Sequence, residues 1–200
     1  METDAVARRR VVLAEKLHDS LEGSIPGGTP RHIYGRVEFP GKITAVIGMR
    51  RVGKTTYVHE QRRARLAAGV PRTSVPYVNF EDERLRGMEA DELGFLLDEY
   101  GRRVTGGGGG PVIWCFDEPQ VVPGFEQFLR RLLDTGDVRV FATGSSAALL
   151  SREIATALRG RAWAVPLFPF SFREFLMHYG ESVPPRPAYE WTFDPANVSS

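Results

Sequence analysis

The chain has 200 residues, 42% hydrophobic and 26% charged, which suffices for one domain with a sizeable core and is too short for two. A formal net charge of +1 supplies no global field that would draw in nucleic acid or an anionic membrane. The single cysteine, Cys115, excludes an intramolecular disulfide, and no apolar stretch approaches the roughly 18 residues of a membrane span. Glu15, Lys16, His18 and Asp19 interrupt any apolar signal core near the amino terminus, so a cytoplasmic protein with no membrane contact is expected.

In chain order, residues 4–22 mix charge with Val6, Leu13, Leu17 and Leu21 and predict an amphipathic helix. Arg8, Arg9 and Arg10, like Arg62, Arg63 and Arg65 further on, read as solvated helix faces. Gly23 to Pro30 reads as a linker, so residues 1–30 are expected to precede a domain over residues 31–180. That domain opens on alternating strand and helix signals. Lys42–Ile47, Val75–Phe80, Val112–Phe116, Val138–Ala142 and Ala162–Leu167 are short apolar runs without polar alternation, as in parallel strands buried on both faces. Between them, Phe125, Phe128, Leu129, Leu132 and Leu133 form a helical stripe that Gly136 should stop. The expected fold is therefore α/β, a mainly parallel five-stranded sheet covered by helices. Gly106 to Gly110 reads as a flexible connection, Cys115 as a core residue, and residues 181–200 as a proline-rich loose tail.

Gly48-Met49-Arg50-Arg51-Val52-Gly53-Lys54-Thr55 fits G-x-x-x-x-G-K-[ST] between an apolar strand and a helix starting near Lys54. The glycines allow close backbone approach, and the loop N–H groups form an anion site at a helix N-terminus. ATP with Mg²⁺ is the expected ligand. Arg50, Arg51, Val52 and Thr56 belong to the cradle; Lys54 contacts the β- and γ-phosphates, and the Thr55 hydroxyl completes the metal shell. Lys54 is expected to be an exposed loop residue that carries little packing.

The third apolar run ends in Asp117 and Glu118, at the strand end where parallel sheets bind ligands. Asp117 would hold Mg²⁺ opposite Thr55, and Glu118, on the other side of the pleat, would activate the attacking water. The fourth run delivers Thr143, Gly144, Ser145 and Ser146, as a γ-phosphate contact or as a helix N-cap. Glu81 and Asp82 read as site-edge carboxylates or as turn residues. Arg159 and Arg161 read as phosphate contacts, in cis or from a neighbouring subunit, or as a surface pair at a helix end.

"GMRRVGKTT", "YVNFED", "CFDEPQ", "ATGSSAALLSREIATALRGR" and "LFPFSFREF" together resemble the prokaryotic AAA-type ATPases that carry GxRRVGKTT, DExQ, TGSS, LRGR and LxPxSFxEF motifs. The resemblance runs from about Arg31 to Tyr179. It implies an AAA+ core, Lys54 and Thr55 on nucleotide and Mg²⁺, Asp117 as metal residue, Glu118 as the catalytic acidic residue, Ser145 at the sensor position and Arg161 as the LRGR arginine. Gln120 matches the DExQ glutamine. Pro119 replaces a usual aliphatic residue, and its fixed φ suggests a rigid turn beside Glu118. Members usually continue into a winged-helix-like region and a nuclease-like domain, so a chain ending at Ser200 is expected to lack the lid over the nucleotide. ATP hydrolysis that drives or times a conformational change is the leading expectation. The alternatives are a nucleotide-dependent binding switch with negligible turnover and a non-hydrolysing remnant. A homo-oligomer or an unknown protein target is conceivable; nucleic acid is not expected as a partner.

Overall fold

A computed structural model describes residues 4–33, 38, 41–104, 111–135, 138–145, 158 and 160–183. Ser146, Arg159, Gly136, the glycines at 106–110 and the tail beyond residue 183 lie outside the described residues.

Each of the five apolar runs becomes a strand: β1 (Ile43–Ile47), β2 (Tyr77–Asn79), β3 (Val112–Asp117), β4 (Val138–Gly144) and β5 (Ala162–Pro166). They form one parallel sheet in the order β2-β3-β4-β1-β5. The helices are α1 (Asp4–Glu22), α2 (Lys54–Ala67), α3 (Leu93–Arg103), α4 (Phe125–Asp134) and α5 (Phe172–His178). The chain is thus the expected α/β, mainly parallel five-stranded sheet with helices.

Alternate strand residues serve opposite faces, which is why the runs are mainly apolar rather than alternating. Ala45, Trp114, Phe116 and Val140 join Leu13 and Leu17 of α1, Leu96 of α3 and Phe128 of α4 in the larger core cluster. Val46, Ile113, Cys115 and Phe141 pack with Tyr57 and Val58 of α2 on the other face. Cys115 is buried, and burial pushes its thiol up to about 12, so it is an inert core residue.

Residues 4–22 share this core rather than preceding it. Leu13 and Leu17 are fully buried, and α1 packs on β2 and α3. Two of the arginines expected on solvated faces are also inside. Arg62 donates from Nε to the Val75 carbonyl at 2.9 Å and from Nη2 to Ser20 O at 3.0 Å and Oγ at 3.1 Å. Arg9 grips Glu92 with both Nε and Nη2, at 2.9 and 2.8 Å. Their long apolar stems let them line the core while the guanidinium forks satisfy buried oxygens.

The chain after β5 returns to the sheet's carboxyl edge through α5. Ser171 and Glu174 form a reciprocal capping box: the Ser171 hydroxyl accepts from Glu174 N, and the Glu174 carboxylate accepts from Ser171 N at 2.7 Å. Glu174 also accepts from His32 N at 2.8 Å and from Arg31 Nε at 3.1 Å. Arg31 spends its other nitrogens on the Val52 and Phe168 carbonyls, and so ties α5 to the loop between β1 and α2. Beyond this joint, Phe168, Phe172, Phe175 and Tyr179 remain exposed.

Burial of Glu174 pushes its carboxyl up, but the bonds from His32, Ser171 and Arg31 outweigh that and hold it down at about 2. Its folded value lies below the ordinary 4.5, so its stabilising contribution is complete above pH 4.5 and is lost as pH falls towards 2. Buried His59, pushed down to about 4 by burial and then by Arg62, resists the charge that acid would impose below its ordinary 6.5. Glu174→Gln is expected to lose about 2 kcal/mol at pH 7 and to flatten the fall in stability between pH 4.5 and 2. Urea unfolding at several pH values measures this; parallel stability profiles for variant and wild type would contradict it.

Candidate phosphate-binding site

The site lies at the carboxyl edge of the sheet, where β1, β3 and β4 end side by side. Ile47 pairs with Gly144, and Phe116 pairs with Ala142, so the residues that follow these strands converge. Gly48 leaves β1 against the strand next door: a Cβ there would stand 2.5 Å from the Leu167 carbonyl oxygen and 2.9 Å from Val52. Gly53 has φ +96°, and a Cβ would stand 2.8 Å from the Arg31 guanidinium. Both positions require glycine on steric grounds. Between them Arg51 takes a left-handed φ of 60° without being glycine.

Lys54 opens α2 with its ammonium turned back over the loop. Nζ donates to the Gly48 and Met49 carbonyls, each at 3.2 Å, and lies 3.3 Å from Glu118 Oε1. The lysine is only 6% exposed. The expectation of an exposed lysine with little packing is therefore corrected: a mobile ammonium would leave two loop carbonyls and a carboxylate facing one another.

Asp117 ends β3, buried, with hydroxyls on both oxygens. Oδ2 accepts from Thr55 Oγ1 at 2.8 Å and from Tyr77 Oη at 2.7 Å, while Oδ1 accepts from Thr143 Oγ1. Thr55 comes from α2, Tyr77 from β2 and Thr143 from β4, so one carboxylate ties three elements together. Tyr77 carries no motif signal; the clue is that a tyrosine in a buried run needs a partner for its hydroxyl. Next to Asp117 the phenol is pushed upwards by burial and then by the carboxylate's charge, so it stays a donor.

Glu118 does not continue the pleat. It takes φ 52° and ψ 45°, and Pro119 then opens a tight turn over Pro119–Val121. Proline has no N–H to donate to a ladder, so the strand must end here, and the left-handed residue swings the carboxylate towards Lys54. The Glu118 N–H donates to Thr143 Oγ1 at 3.1 Å, which fixes the turn.

The cleft holds about 780 Å³ and is lined by Arg50, Arg51, Gly53, Lys54, Thr55, Thr56, Asn79, Glu81, Asp117 and Glu118. A second cavity of about 390 Å³ lies on the other side of the loop, between Arg31, Val52, Thr56, Pro169 and Phe170. Arg31 stacks over the Phe170 ring with its guanidinium 4.8 Å from the centroid. Arg50 pairs at the surface with Glu81 at 2.7 Å, whereas Asp82 caps a turn and pairs with Lys16. Glu81 thus stands at the site edge and Asp82 in the turn.

The structure does not bring every expected residue together. Ser145 follows β4 and is exposed, and it is the buried Thr143 hydroxyl two residues earlier that reaches the acidic pair. Arg161 precedes β5, beside Ile43 at the amino edge of the sheet, and pairs with Asp134 at the end of α4. A phosphate contact by Arg161 within one chain is thereby corrected, since its strand runs the length of β1 away from the loop. Arg31 and Glu174 had no place among the expected site residues; the Ser171-x-x-Glu174 spacing was the available signal for the second.

A family model described as an AAA domain matches residues 40–176. An uncharacterized protein from Methanocaldococcus jannaschii is 38% identical over 168 residues, covering 84% of this chain and 36% of that protein. An uncharacterized protein from Haemophilus influenzae is 30% identical over 135 residues, 67% of this chain and 33% of its own length. The chain therefore spans about a third of the length of these relatives. Among solved structures, the ORC1 protein of Aeropyrum pernix in complex with DNA matches with 19% identity and a TM-score of 0.43, over 88% of this chain and 49% of that one. No described helix is long and apolar enough to cross a membrane. With strand, phosphate loop and acidic pair all inside the matched span, the chain belongs to the AAA domain family of P-loop ATPases.

Proposed function

We propose that this chain binds ATP with Mg²⁺ in the cleft and hydrolyses it. The observation that carries the reading is that two bonded pairs, Thr55 with Asp117 and Lys54 with Glu118, line one cleft at the sheet edge. Asp117 and Thr55 offer hard oxygens 2.8 Å apart, the donor chemistry that suits Mg²⁺, an ion that keeps several waters and takes few protein ligands. Among the described residues no cluster of three or more His, Cys, Asp or Glu competes as a metal cage. Held by Asp117 and Thr55, the ion would supply positive charge that offsets negative charge developing on the phosphates.

The loop N–H groups from Arg50 to Thr56 cradle phosphate oxygens, and Lys54 exchanges its Gly48 and Met49 carbonyls for the β- and γ-phosphates. Glu118 orients the attacking water and takes its proton as the new P–O bond forms and the bond to ADP breaks. Thr143 holds Asp117 and the Glu118 backbone in register throughout. The neighbouring cavity, with Phe170 and Arg31 on its wall, receives the nucleoside. Ser145, exposed just after β4, is a candidate γ-phosphate contact. Arg161 would serve a phosphate only in the cleft of a neighbouring copy, which makes a homo-oligomer part of the reading. A cytoplasmic location accords with the single inert thiol.

Lys54→Met should weaken MgATP binding about 10- to 100-fold, the worth of charge-assisted bonds to phosphate, and also lower apo stability by roughly 1–3 kcal/mol through the carbonyls and carboxylate it leaves unpaired. Calorimetric titration and thermal melts measure the two effects, and unchanged affinity would overturn the cradle. Glu118→Gln should bind MgATP about as well as wild type while phosphate release falls about 10²- to 10⁴-fold. Equal steady-state release by both proteins would remove hydrolysis from the reading and leave a nucleotide-dependent switch.

A further inference from the structure

Each oxygen of the Glu118 carboxylate has its own partner. Oε1 faces Lys54 Nζ at 3.3 Å, and Oε2 accepts from the Gln120 side-chain amide. The left-handed Glu118 and the turn over Pro119–Val121 fold the chain back so that a residue only two positions on can reach it. The other end of the same amide is unusual: Gln120 Oε1 is buried and has no hydrogen-bond partner among the described residues. Turning the amide over would set its carbonyl against the carboxylate, two acceptors face to face. The bond to Glu118 therefore dictates the orientation, because a charge-assisted bond outweighs the neutral one that the amide oxygen forgoes. A residue kept only for packing would not leave a buried carbonyl unsatisfied.

We propose that Gln120 is the positioning residue for the base: it pins Glu118 by Oε2, so that Oε1 is the oxygen released to the attacking water once Lys54 turns to the nucleotide's phosphates. As the structure stands, the carboxylate is held at both ends, by Lys54 and by Gln120. Phosphate binding removes one hold and leaves the other. Without the second, Glu118 would be free to rotate about its own side chain or to follow Lys54, and the reacting oxygen would have no fixed place. Thr143 holds only the Glu118 backbone, and Asp117 is occupied by its hydroxyls, so neither does this work. Arg50, Arg51 and Glu81 line the same cleft but stand at its exposed wall.

The proposal rests on Glu118 acting as base, and the test separates the two. Gln120→Ala and the length-matched Gln120→Met are each expected to lower kcat about 10- to 100-fold, the effect of a misplaced reacting group, with the Kd for MgATP within about threefold of wild type. Apo stability should hold in the methionine variant, since the change also removes the unsatisfied amide oxygen. Combined with Glu118→Gln, either change should add nothing further, because the two side chains act as a unit. Single-turnover ATP hydrolysis and equilibrium nucleotide binding on the full chain supply the readouts. Wild-type kcat in Gln120→Met, or losses that multiply in the double variant, would overturn the positioning role while leaving the base in place. A weakened Kd matching the loss in rate would make Gln120 structural and overturn it as well. Wild-type turnover in Glu118→Gln would overturn the base and its positioner together.

Discussion

The carboxylate of Asp117 organises this fold. A buried carboxylate without donors is expensive, and a cation alongside would satisfy it at once. Here the donors are hydroxyls instead, from Thr55, Tyr77 and Thr143. Neutral donors meet the hydrogen-bonding need without cancelling the charge. On the proposed reading, that charge is what a divalent ion would meet at the sheet edge. Each hydroxyl also brings its element: α2 behind the phosphate loop, the edge strand β2 and the central strand β4. The register of the sheet and the chemistry of the cleft are set by the same atoms.

A second hold acts from the opposite side of the loop. Arg31 reaches the Val52 carbonyl while its Nε pairs with Glu174, so α5 and the chain before β1 brace the loop together. The amino-terminal helix is connected too, because Ser20 accepts from Arg62 and also from Tyr77 N, whose hydroxyl is on Asp117. Within this bracing sit the two non-glycine residues with positive φ among the described residues, Arg51 and Glu118. Both line the cleft. Strained backbone persists only where its surroundings overdetermine it, and here it marks the site.

The sheet was legible because mainly apolar runs of five or six residues allow few other readings, and the loop between β1 and α2 was legible because its glycines stand where the backbone passes closely against its neighbours. What escaped depended on contacts distant in sequence. Arg31 and Glu174 are separated by 143 positions, and neither belongs to a periodic pattern. The burial of Lys54 follows from the return of Glu118, which in turn follows from a left-handed residue that only the proline after it hinted at. Arg161 is a different case. A residue just before a parallel strand lies at the edge away from ligands, so its place at the amino end was readable from its position ahead of β5.

The side chains of the cleft are already close to balanced. Asp117 is met by hydroxyls, and Glu118 is matched by Lys54, whose remaining bonds go to loop carbonyls rather than to a second anion. On the proposed reading, phosphates bring more negative charge to the lysine than Glu118 can offer, so the pair opens because Lys54 has a stronger partner. The γ-phosphate is the group that Lys54 and Glu118 both address. A triphosphate and a diphosphate therefore differ at the one point where cradle and base compete for the same cation. That competition would let the cleft respond to the state of the nucleotide through two side chains and one turn, without moving the sheet.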